Sequence, residues 1–93
     1  MPNASEADMK NAIDELGQYQ KKLIEIADTM QTAVRQTEQN LQGDDNVKAV
    51  NAALKKRIIK IHEASMQAKD IALNISMELE EMRKANRMIY DHD

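Results

Sequence analysis

The sequence predicts an all-α protein: two long antiparallel helices folded as a hairpin, completing a four-helix bundle with a second hairpin. Apolar residues recur at alternating three- and four-residue steps through both halves of the chain, the repeat that keeps one stripe of a helix against a neighbour. Only one stretch, Leu41-Gln42-Gly43-Asp44-Asp45-Asn46, credibly interrupts that rhythm. A further apolar row runs beside each stripe, making the apolar surface wider than a two-helix pair consumes.

The first helix is expected over about residues 5–40. Ser5 is placed to cap it, with Asp8 reaching back three residues later, and Glu6 and Asp8 suit the positive end of the helix dipole. Met9, Ile13, Leu16, Leu23, Ala27, Met30, Val34 and Leu41 form its seam, with polar Gln20 and Thr37 in the same register. Gly17 falls beside the seam, where a helix-interior glycine costs about 1 kcal/mol relative to alanine. It marks either a close helix contact or a soft point.

Residues 41–46 form the expected turn. Gly43 is suited to the positive φ of a left-handed cap, and Asp44, Asp45 and Asn46 to accepting hydrogen bonds from the first amides of the next helix. The second helix, about 46–90, carries Leu54, Ile58, Ile61, Ala68, Ala72, Ile75, Leu79, Met82 and Ile89 in the same rhythm, interrupted by Ser65 and Asn86. The whole chain, 1–93, reads as a single helical-hairpin domain.

Ala12, Tyr19, Ile26 and Ala33 repeat every seven residues beside the first seam, and Ile59, Met66 and Leu73 beside the second. A stripe widened in this way is expected where a helix touches more than one neighbour. Tyr19, Ile26, Ala33, Ile59, Met66 and Leu73 are therefore the candidate partner interface. Tyr19 reads equally as an interface anchor or as ordinary amphipathic packing.

Composition narrows the function. A charged fraction of 31% with net charge −3 produces no bulk attraction to nucleic acid or anionic membranes. Zero cysteines exclude disulfides and thiolate chemistry. The N-terminus lacks a secretory signal pattern, and no stretch is apolar enough to predict a membrane span. The only basic cluster, Lys55-Lys56-Arg57 with Lys60, interleaves with isoleucines and reads as the solvated side of a helix; a small nucleic-acid-associated regulator is the distant alternative. Glu78, Glu80, Glu81, Arg83, Lys84 and Arg87 also read as a solvated face.

His62-Glu63 and Asp91-His92-Asp93 lack convergent metal-ligand spacing, so no metal site is predicted. No nucleophile motif, glycine-rich phosphate loop or enclosed carboxylate pair is present, so neither a catalytic residue nor a cofactor is expected and the protein is read as non-enzymatic. Met30, Met66, Met77, Met82 and Met88 read first as core filler, with an adaptable binding surface as the alternative.

Taken whole, two long helices in about ninety residues, the absence of cysteine, and a turn of the form Leu41-Gln42-Gly43 resemble the WXG superfamily of small helical hairpins linked to bacterial type VII secretion. Gly43 matches the glycine of that family's Trp-x-Gly turn, and Leu41 stands where the tryptophan would be. The departure makes the chain more similar to the divergent relatives that partner the N-terminal helical domains of LXG-type toxins. Ile89 and Asp93 have the four-residue spacing of the family's C-terminal export signal, with an aliphatic residue in the aromatic place.

The resemblance implies a targeting partner or adaptor that associates with an LXG-type toxin domain or another WXG-like helical protein and with the secretion machinery. It also implies a cytoplasmic location before export, and export without a cleaved signal peptide. The alternative is a secreted homodimer. In either case Gln20, Thr37, Ser65 and Asn86 are expected to set the helix register.

Overall fold

The computed structural model describes residues 5–91, with side chains described through residue 88. Two helices, α1 (Glu6–Asn40) and α2 (Asp45–Asp91), fold back on each other as an extended hairpin 76 Å long. No strand occurs among the described residues.

Local chemistry sets the ends. Ser5 lies in an extended conformation at the α1 N-cap, and its Oγ accepts from the Asp8 amide at 3.1 Å, leaving one fewer unpaired donor in the first turn. Only this arm of the expected capping box forms.

At the turn, the Leu41 amide donates to the Thr37 carbonyl at 2.9 Å, and the Asp44 amide donates to the Leu41 carbonyl at 3.3 Å. Gly43 adopts φ +88°, and a Cβ there would meet nothing within 4 Å. Backbone conformation rather than lack of space therefore makes glycine the favoured residue. Of the three candidate caps, Asp44 does the work: its Oδ1 accepts from the Val47 amide at 3.1 Å and its carbonyl from the Lys48 amide at 3.0 Å.

The seam appears almost as the heptad pattern predicts. Every predicted seam residue of α1 from Met9 to Thr37, and of α2 from Leu54 to Met82, is buried or half-buried. Ala27, Val34 and Ile58 form the tightest cluster, with Met30, Leu54 and Ile61 packed against it.

The ends differ from expectation. Leu41 is half exposed because the chain has already left the helix, and Asn86 is exposed beyond the N-terminal end of α1. The α2 seam also extends back to half-buried Val47 and buried Asn51. Asn51 Nδ2 donates to Thr37 Oγ1 at 2.9 Å, while that hydroxyl lies 3.0 Å from the Ala33 carbonyl. Gly17 is not a close helix contact: a Cβ there would project into open space.

Candidate protein docking interface

Tyr19, Ile26, Ile59, Met66 and Leu73 are each at least half exposed, and Ala33 is exposed as well. These six residues do not form one surface. Successive residues of a helix diverge by about 100°, so the residue just before a seam position lies on one flank and the residue just after it on the other. Tyr19, Ile26 and Ala33 directly precede Gln20, Ala27 and Val34, whereas Ile59, Met66 and Leu73 directly follow Ile58, Ser65 and Ala72. In an antiparallel pair, preceding residues of both helices share one edge and following residues share the other.

The contacts agree with this assignment. Glu38 follows Thr37, Lys55 follows Leu54, and the two form a 2.8 Å salt bridge across one edge. Ile59 lines a shallow concavity on that same edge with Gln31, Arg35, Glu38 and Lys55. Ile24, following Leu23, contributes from α1.

The Tyr19 edge is completed by residues that the sequence reading did not assign to it. Val50, Ala64 and Ile71 directly precede Asn51, Ser65 and Ala72, and therefore join Tyr19 and Ile26 on the opposite side. The sign of each row's offset from the seam is present in the sequence, but it assigns a shared edge only once the direction and register of the two helices are given.

Near the middle of the rod, half-buried Ala12 and Ala64 lie among half-exposed Tyr19, Ile26 and Ile71. Met66, Met77 and Met88 are exposed rather than core filler; only Met30 and Met82 of the five occupy the seam, half-buried.

The charge pattern is also redistributed. The basic cluster splits, with Lys55 paired to Glu38 on one edge and Arg57 and Lys60, each preceding a seam residue, on the other. Arg83 is not merely part of a solvated face: its Nε donates to Glu6 Oε1 at 2.7 Å and joins the helices at the open end. The Arg83 hydrogen bond holds the Glu6 carboxyl below its ordinary pKa of 4.5. Arg87 reaches Glu80 at 3.6 Å. His62 and Glu63 are both exposed, and no group of three or more metal-ligating residues occurs among the described residues.

Leu41 and Gly43 both sit in the turn, where Leu41 borders an apolar recess with Val47 and Ala52. Asp93 lies outside the described residues, as does the side chain of Ile89. No described helix is long and apolar enough to cross a membrane. No known protein family matches the sequence, and comparison with curated proteins and with solved structures finds no match.

Proposed function

We propose that this protein is a non-enzymatic docking partner, a helical hairpin that completes a four-helix bundle with a second helical hairpin. The observation carrying this reading is the placement of large apolar residues, half exposed or more, along both edges of a rod whose own core is a single seam. Such surface is costly to leave in water and is characteristic of interaction sites.

Similarity of the hairpin and its glycine turn to the WXG superfamily supports a role in type VII secretion. In this role the protein is a targeting partner for an LXG-type toxin or a related exported helical protein, shielding that protein's apolar helices before export and presenting the end of α2 to the machinery. Its location is cytoplasmic until the complex is exported.

The test is co-purification with the N-terminal helical domain of an LXG-type toxin. Ile26→Glu and Leu73→Glu each place a charge on one edge. At least one is expected to abolish the complex, and unchanged association of both variants would rule out docking through these rows.

A further inference from the structure

We infer that the Tyr19 edge is the seat for a second copy of this chain, packed antiparallel about a two-fold axis at Tyr19, while the Ile59 edge stays open. This inference rests on the docking reading above and specifies the occupant of one surface.

Charge placement is the main argument. Seven charged residues directly precede a seam position and so share the Tyr19 edge. Asp8, Glu15, Glu78 and Glu81 all lie toward the open end; Lys22, Arg57 and Lys60 all lie toward the turn. The apolar patch of Ala12, Tyr19, Ile26, Ala64 and Ile71 sits between them. The edge is thus acidic at one end, apolar in the middle and basic at the other. Two such surfaces match when one is reversed against the other.

The register makes the match specific. Thr37 with Asn51 near the turn and Glu6 with Arg83 at the open end fix how α1 and α2 lie alongside each other. On that scale Tyr19 falls near the middle of the rod. A two-fold axis there, perpendicular to the rod and lying in the interface, stacks α1 on α1 and α2 on α2, each antiparallel.

Tyr19 then meets its own copy, and Ile26 lies over the small Ala12 of the other chain. Glu15 faces Lys22, Glu78 faces Lys60 and Glu81 faces Arg57, and the symmetry makes each pair twice. Placing both turns at the same end would instead stack acid on acid and base on base.

The size is sufficient. With α1 of 35 residues and α2 of 47, at about 1.5 Å per residue and ~10 Å in width, the face measures about 1200 Å² per copy, of which roughly 1000 Å² overlaps about Tyr19, against ~800 Å² per partner in a standard stable interface. The Ile59 edge has no such self-match. Lys10 and Arg83 lie toward its open end, Lys69 at its centre, and Lys21, Arg35, Lys48 and Lys55 toward its turn, with Asp14, Asp28, Glu38 and Glu80 interspersed.

The chain has no cysteine, which makes crosslinking decisive. Glu78→Cys and Lys60→Cys, oxidised separately, are expected to remain uncrosslinked because like positions lie roughly 27 Å apart at 1.5 Å per residue. Their equimolar mixture is expected to yield a disulfide-linked dimer.

In parallel, the double variants Glu78→Lys/Glu81→Lys and Arg57→Glu/Lys60→Glu are each expected to weaken self-association at least tenfold by light scattering. Mixing the two restores a heterodimer, because every altered residue then faces its complement. Leu73→Glu leaves the dimer intact.

Crosslinking of Glu78→Cys or Lys60→Cys alone, failure of the charge-reversed pair to recombine, or loss of the dimer on Leu73→Glu overturns the inference. A wild-type chain that stays monomeric at all concentrations, yet binds a toxin helical domain, overturns it while leaving the docking reading intact. A monomer that binds neither overturns both.

Discussion

Near the turn, the two helices are held by the Ala27, Val34 and Ile58 cluster, by neutral hydrogen bonding between Thr37 and Asn51, and by the Gly43–Asp44 cap. At the open end, buried Met9 and Leu79 occupy the seam and the interhelical polar link is ionic, Glu6 with Arg83. The difference reflects chain connectivity. A short turn holds the first pairs of residues close, so modest contacts suffice, whereas the far ends must find each other without a local tether. The turn-proximal half is accordingly the stable unit, and the open end is expected to fray first.

The largest test of that contrast is Ile58→Ala, which removes part of the central cluster. It is expected to cost about 3 kcal/mol, read as a lowered urea midpoint for the whole chain. Leu79→Ala should instead chiefly raise amide exchange in the last turns of α2, leaving the exchange of residues 50–62 nearly unchanged. Equal loss of protection in both halves would show that the rod opens as one unit.

Next is Thr37→Val, which leaves buried Asn51 without its partner at an expected cost of about 1–3 kcal/mol. Combining it with Asn51→Leu is expected to recover most of that loss in chemical denaturation. A double variant no better than the single would mean that the pair does not act as a unit.

Gly43→Ala and Asp44→Ala are smaller perturbations, about 1 kcal/mol each, through the positive φ and the lost N-cap respectively. Thermal unfolding followed by circular dichroism measures both.

The finest distinction is pH. Because the folded-state pKa of Glu6 lies below 4.5, its pairing with Arg83 contributes fully above that value and is lost as pH falls through the lowered folded-state value. Protection of the amides near Arg83, taken relative to the intrinsic exchange rate at each pH, should fall on acidification below about pH 4.5, more than protection near Asn51. Glu6→Gln should remove that pH dependence.

The fold was readable because the seven-residue spacing and the single glycine-acid turn act locally and reinforce each other. Val47 and Asn51 are not legible in the spacing alone, because the sustained apolar run of the α2 seam begins at Leu54 and a buried asparagine carries no hydrophobic signal. Its role depends on Thr37 arriving from the other helix. The role of Arg83 is not legible for a similar reason, since Glu6 is 77 positions away and no periodicity links them.

By itself the sequence determined two helices, their seam, the reversal at Gly43 and the presence of apolar residues beyond the seam. Local backbone preference and the 3.6-residue helical repeat are sufficient for all of these. Only the tertiary structure decided that the Tyr19 and Ile59 rows lie on opposite edges, and that Val50, Ala64 and Ile71 complete the former. An edge is a property of two helices in a particular direction and register, and those emerge only when the chain folds back on itself.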